Sequence, residues 1–135
     1  MTKPASHTIL VHAQRLAICR LAADAPIPSW AVASAFFTVS RTREELSVVC
    51  EAHRVPAGVR ASAGWRALQL RGPFALDEVG VLLTMVAPMA DAAVSVFPIA
   101  TFDTDYLLVP EAQLDLALSA LAGAGHSIEG PADSR

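Results

Sequence analysis

The sequence has little of what announces most chemistries. Of its 135 residues two are cysteine, four are histidine, and aromatic residues make up 6%. Cys19 and Cys50 are too few for a disulfide framework, so both thiols are expected to be reduced and the protein cytoplasmic. The opening stretch MTKPASHTILVHAQR holds one Lys and no apolar core of signal-peptide length, which predicts no secretory signal. No apolar run reaches the roughly 18 uncharged residues of a membrane span. His7, His12, His53 and His126 are dispersed, and no Cys/His spacing matches a zinc site. Cys50 and His53 stand three residues apart, on opposite faces of any strand, with no third group to orient them. Gly123-Ala124-Gly125 lacks the strand–loop–helix setting of a phosphate loop and reads as a helix stop. The densest basic clusters, Arg41/Arg43 and Arg66/Arg71, carry few aromatics, and the net charge is −3, which argues against nucleic-acid binding. The expectation is a protein with no catalytic residue, no metal and no cofactor, hence not an enzyme.

Apolar residues are what the chain has in abundance. They make up 53% of it, at a mean hydropathy of +0.44. Its length fits one domain or two small units sharing a core. Surface scaling gives roughly 14,000 Å² buried on folding, enough for a core without staples. The surplus apolar surface predicts a subunit interface, most simply a homodimer.

Periodicity orders the elements. Thr8–His12 and Arg15–Leu21 read as strands. Pro26 and Pro28 force a loop over 22–29, and Ser29–Ala33 predicts one helical turn. Phe36–Ser40 and Leu46–Ala52 flank a charged connector and predict a hairpin. Val55-Pro56-Ala57-Gly58 breaks the pattern, placing a boundary between two halves within Pro56–Gly64. Trp65–Arg71 alternates as a strand. Val79, Leu82, Leu83, Val86 and Met89 fall at helical spacing, predicting a helix from about Asp77 to Ala90, N-capped by Asp77 and ended near Pro88. Val94–Ala100 and Tyr106–Val109 predict a second hairpin. A second helix opens at Pro110-Glu111, and His126–Glu129 is a last strand. The second half therefore reads β-α-β-β-α-β, the ferredoxin-like order. The first half reads as a degraded copy, its first helix shrunk and its second replaced by a loop.

The turn between the last two long strands, Thr101-Phe102-Asp103-Thr104-Asp105, gathers two carboxylates, two hydroxyls and an aromatic ring. Two readings stand. Asp and Thr are ordinary turn residues. Equally, carboxylates two apart on extended backbone share a side and suit an ammonium or guanidinium.

The runs Trp30-Ala31, Phe36–Thr42, Glu44–Cys50 and Val55-Pro56, then Gly64–Leu68, Gly72-Pro73-Phe74, Gly80-Val81-Leu82, Ser95-Val96-Phe97 and Thr101–Tyr106, resemble a group of small tandem ACT-domain proteins related to the CASTOR-type arginine sensors. The similarity spans about residues 14–128. It implies an α+β fold of tandem ACT units with an antiparallel sheet and helices on one face. Residues 1–60 would be a degenerate N-terminal unit, 61–130 an ACT domain and 131–135 a tail. It also implies a regulatory module that holds a small molecule, an amino acid, at an ACT–ACT interface. One wall would be Glu78, Val79 and Gly80 at a helix start, with Thr101, Phe102 and Asp105. The opposing wall would be Ser95 and Val96, from a second subunit. The chemistry is consistent. A helix N-terminus suits a ligand carboxylate, Gly80 permits close approach, and Asp105 accepts from an ammonium. Glu78 reads equally well as a helix cap, Gly80 as helix–sheet packing, and Ser95 and Val96 as plain strand core. The alternative function is a ligand-free interaction module assembling through its sheet edges. A regulated protein partner is implied but not specified.

Overall fold

A computed structural model describes residues 6–130; residues 1–5 of the expected lead-in and the expected tail at 131–135 lie outside the described residues. The elements run β1 (Thr8–Val11), β2 (Leu16–Leu21), β3 (Thr38–Arg41), β4 (Leu46–Glu51), β5 (Arg60–Leu70), α1 (Leu83–Asp91), β6 (Phe97–Ala100), β7 (Asp105–Pro110), α2 (Leu114–Gly123) and β8 (Ser127–Glu129). Single 3-10 turns occupy Ser29–Val32, Ala52–Arg54 and Glu111–Gln113. The chain forms two compact units. One is Gln14–Trp65, and the other joins residues 66–130 to the segment ending at Ala13.

The unit of residues 14–65 orders its strands β3-β4-β2-β5. The expected hairpin is present, with Val39 opposite Val48. Where a ferredoxin-like unit carries helices, this one carries only the turns Ser29–Val32 and Ala52–Arg54. Pro26 and Pro28 deny the preceding segment both strand and helix bonds. Its small core is Ala17, Cys19, Ala31, Leu46, Val48 and Cys50.

The other unit runs β5-α1-β6-β7-α2-β8, as the periodicity predicts, with strand order β6-β7-β5-β1-β8. β1 lies between β5 and β8. It is antiparallel to β5, with Ile9 opposite Leu70, and parallel to β8, with Ile9 opposite Ile128. At the far edge β6 and β7 are antiparallel, with Phe97 opposite Leu108. Ile9, Val11, Leu68, Leu70, Leu107 and Val109 share one face of the sheet, and Met85, Met89, Ala117 and Leu121 cover it from the two helices. Each of these side chains but Ala117, fully buried, contributes about 1.5–3 kcal/mol.

The structure corrects the start of the first helix. It opens at Leu83, not Asp77, with Leu82 at the N-cap position. Gly80 has φ +82°, a left-handed conformation through which a right-handed helix cannot propagate. Asp77 therefore caps nothing, and the buried stripe is Val81, Met85 and Met89 rather than one starting at Val79, which is 94% exposed. Pro88 sits in the last turn, and the helix ends at Asp91. The structure also corrects Ser95 and Val96, which precede the strand that begins at Phe97.

Candidate functional site

The pocket that matters is built where β5 hands over to the loop before α1 and meets the β6–β7 turn. Beyond the end of β5, Gly72 lies so close to that turn that a Cβ there would stand 2.9 Å from the Asp103 carbonyl oxygen and 3.2 Å from the Thr104 Cβ. The Phe74 N–H donates to the same Asp103 oxygen at 2.7 Å. Thr104 is buried, and its hydroxyl donates to the Leu70 carbonyl at 2.5 Å. The turn closes on itself, with the Thr101 N–H and Oγ1 donating to the Thr104 carbonyl at 2.8 and 3.0 Å. The two threonine hydroxyls are therefore consumed in fixing the turn. That leaves the carboxylates and the aromatic ring as its outward chemistry.

Between this turn and the loop lies a cavity of about 290 Å³. Phe74, Ala75, Leu76, Glu78 and Gly80 form the loop side, Val81, Leu82 and Leu83 the start of α1, and residues 100–105 the turn side. No side chain caps the first turn of α1, whose Thr84 and Met85 N–H groups donate to the Val81 and Leu82 carbonyls at 3.2 and 3.0 Å, and the partial positive charge of the helix start borders the cavity. Opposite stand the carboxylates of Asp103 and Asp105, which make no hydrogen bond or ion pair among the described residues. A site with a partial positive end and two free carboxylates is complementary to a zwitterion.

Of the eight residues expected to hold ligand, Glu78, Gly80, Thr101, Phe102 and Asp105 line this cavity. Val79 is in the loop but not in the lining. Ser95 and Val96 are elsewhere. The Ser95 N–H donates to Gln113 Oε1 at 3.1 Å, and Val96 packs against the core. Sequence reasoning missed Phe74, Leu76, Leu82 and Leu83. Gly72-Pro73-Phe74 was the available signal, since a Gly-Pro pair after a strand marks a chain that turns across a neighbour.

Behind Phe74 lies a histidine pair. The His126 ring is buried, its Nδ1 accepting from the His7 backbone N–H at 3.0 Å and its Nε2 lying 2.8 Å from the Thr84 carbonyl. In that geometry Nδ1 is the acceptor and Nε2 the donor of the pair of contacts. The His7 ring stacks on it at 5.9 Å and meets Phe74 edge-on at 5.3 Å. Burial lowers the His7 pKa, the neighbouring His126 lowers it further, and Glu78 opposes both. A second cleft, of about 670 Å³, runs between α1 and the end of α2 past Ala87, Pro88, Ala120 and Ala124. It is larger, but Asp91 is the one carboxylate on it, and no set of opposed charges converges there.

The thiols behave as core. Burial raises Cys19 to about 11 and pushes Cys50 up as well, so neither has thiolate character at neutral pH. Among the described residues no group of three His, Cys, Asp or Glu side chains is placed to hold a metal. No helix of the described residues is long and apolar enough to cross a membrane.

Comparison with known proteins decides the family. The ACT domain model matches residues 60–123, the stretch that contains the cavity, and a second model, described as an N-terminal domain, matches residues 14–58. Residues 60–123 are an ACT domain. It is similar to the human cytosolic arginine sensor for mTORC1 subunit 1, at 33% identity over 98 residues, which is 67% of this chain and 29% of that protein. The bovine counterpart is 34% identical over 85 residues, 57% of this chain and 26% of that protein. The ACT-domain protein thus spans under a third of the length of these relatives. Among solved structures it is similar to protein Atu0741 of Agrobacterium tumefaciens, with TM-score 0.89 and 36% identity over 95% of this chain and 96% of that one. It shares its fold with the regulatory subunit of aspartate kinase from Thermus thermophilus, at TM-score 0.58 and 11% identity over 92% of this chain and 96% of that one.

Proposed function

We propose that this ACT-domain protein is a cytoplasmic, non-enzymatic regulatory module that binds an amino acid in the loop–turn cavity. The observation that carries the reading is the pairing of opposed charges across one pocket. The uncapped start of α1 takes the ligand carboxylate, and Asp105, with Asp103 and Glu78 near it, takes the ammonium. Phe102 shields these contacts from water, which strengthens them. The cavity is open on the Phe102 side, so a second ACT unit, supplied by a homodimer partner, completes the wall in the role first expected of Ser95 and Val96. Ligand occupancy then reads out through the oligomer or through a regulated protein. The arginine-sensing role that names the mammalian relatives supports the amino-acid class.

A thermal-shift screen of the full chain against the twenty amino acids tests this. A ligand at 100 times its Kd stabilises by about 2.7 kcal/mol. At least one amino acid at about millimolar concentration raises the midpoint, and Asp105→Ala cuts the rise to about half or less. No shift with any of them refutes the reading. A ligand-free interaction module has one observation in its favour, the internal bonding of Thr101 and Thr104. A flat screen would leave it as the better account.

A further inference from the structure

His126 does not line the cavity, yet it ties together the parts that shape two of its walls. Its place is set by the end of α2. Gly125, at φ +100°, turns the chain out of the helix, and the His126 N–H closes back on the Leu121 carbonyl at 3.1 Å. The ring then reaches two other elements. Nδ1 takes the His7 N–H just before β1, and Nε2 faces the Thr84 carbonyl in the first turn of α1. That carbonyl has a particular need. In an α-helix it would accept from the N–H four residues on, and here that residue is Pro88, which has none. The imidazole N–H stands in for the missing donor. Thr84 is in turn bound to Val81, its N–H and Oγ1 both donating to the Val81 carbonyl, the hydroxyl at 2.7 Å. Val81, Leu82 and Leu83 line the cavity.

The second wall is reached through His7, whose ring contacts both His126 and Phe74, a lining residue. Neither ring accepts a proton without loss. A proton on His126 Nδ1 would set an N–H against the His7 N–H from which that nitrogen now accepts. In the His7 cation both ring nitrogens carry hydrogen, and its Nε2 is buried with no hydrogen-bond partner. The surroundings pull both ways. Burial disfavours a proton on His7, as does His126, while Glu78 of the loop favours one. Asp91 of α1 lines the cleft that His126 borders, and Glu129 of β8 is paired with Arg71. A proton on the pair therefore opens it, freeing the Phe74 ring on one side and the Thr84 carbonyl on the other.

We propose that His126 is a positioning residue of the amino-acid cavity, and that ligand binding requires the neutral His7–His126 pair, so that a proton taken up by the pair releases the ligand. Ligand and proton then compete through the fold rather than for a shared atom, and each lowers the affinity for the other by the same factor. For its ligand this rests on the cavity reading; the coupling of the pair to the cavity walls is a property of the free protein.

Two measurements on the full chain test this. In the free protein, the amide signals of Phe74 and Val81–Leu83 move with pH in step with the imidazole signals of His7 and His126, a readout that needs no variant to fold. Calorimetric titration then gives Kd for the amino acid with the largest thermal shift. Wild-type Kd rises at least about threefold from about pH 7.5 to about pH 6, and by no more than about tenfold per unit for one proton. His126→Phe keeps the bulk without either hydrogen bond and binds at least about tenfold more weakly at the higher pH. His126→Gln, whose amide offers an acceptor and a donor, recovers most of that loss. The double variant His7→Phe/His126→Gln, with neither imidazole, shows the same Kd at both pH values within about twofold. A wild-type Kd that ignores pH, a double variant that keeps the dependence, or cavity amides that do not follow the imidazoles overturns the proposal. If no amino acid binds, the cavity reading fails, and the amide titration alone decides whether the pair controls the cavity walls.

Discussion

Gly72→Ala isolates the contact that fixes the site. Gly72 does not have positive φ, so an alanine there incurs no backbone strain, and its lower unfolded-state entropy would by itself stabilise by about 0.4–1 kcal/mol. Against this, the new Cβ would stand 2.9 Å from the Asp103 carbonyl oxygen and 3.2 Å from the Thr104 Cβ. Neither neighbour can yield freely. Asp103 accepts from the Phe74 N–H, and Thr104 is held to the Leu70 carbonyl. Overpacking of this kind costs about 1–3 kcal/mol, so the steric term wins. The net expectation is a loss of about 1–2 kcal/mol, a midpoint lowered by roughly 3–8 °C for a protein of this size. Gly123→Ala is the control of opposite sign. It ends α2, a Cβ there meets nothing within 4 Å, and replacing Gly by Ala in a helix gains up to about 1 kcal/mol. Paired thermal melts should move in opposite directions. A Gly72→Ala midpoint at or above wild type would refute the claim that this close approach ties the turn to the loop.

Asp105→Ala should weaken whichever amino acid binds by about 10–100-fold, the worth of a charged hydrogen bond, measured by calorimetric titration. The lowered His7 pKa gives a pH dependence whose sign is fixed. The folded state binds the proton less readily than the unfolded chain, so stability is intact above the ordinary histidine range and falls as pH drops through it towards the lower folded value. His7→Phe should flatten urea-derived stability between about pH 7 and 5, and an unchanged slope would exclude His7 as its source. Arg66 is buried, with Nε donating to the His12 carbonyl at 2.9 Å and Nη1 3.6 Å from Glu111, while its Nη2 is a buried group with no hydrogen-bond partner. Glu111→Gln removes that buried cation's carboxylate and should cost about 1–3 kcal/mol, more than Arg66→Met, which leaves behind a carboxylate with access to water. Denaturant melts in which the arginine variant is the less stable would reverse the assignment.

The parts of the fold legible in the sequence were those written in short-range pattern. The alternation of Trp65–Arg71 and the apolar runs either side of Thr101–Asp105 announced β5, β6 and β7 because period two needs only a few residues to declare itself. The start of α1 was not legible. Val79, Leu82, Leu83 and Val86 fit a helical stripe as well as Val81, Met85 and Met89 do, and only the left-handed φ of Gly80 separates the two. The place of β1 was likewise hidden, since nothing local in Thr-Ile-Leu-Val says that it pairs across the chain with Leu68–Leu70 and Ile128. For the site, spacing singled out the Asp-rich turn, but its partners Phe74, Leu82 and Leu83 reach the cavity through the Gly72 approach, a tertiary contact with no periodic signature. Ser95 and Val96 read as strand because β-branched and apolar neighbours surround them. The Gln113 side chain instead holds that backbone in the connection before β6.

The most direct measurement is a backbone-amide NMR titration of the full chain with the amino acid that gives the largest thermal shift. The account predicts saturable shifts concentrated in Gly80–Leu83 and Thr101–Asp105, the two walls of the cavity. Shifts confined to the cleft between α1 and α2, or none at ligand concentrations that saturate the thermal effect, would contradict it.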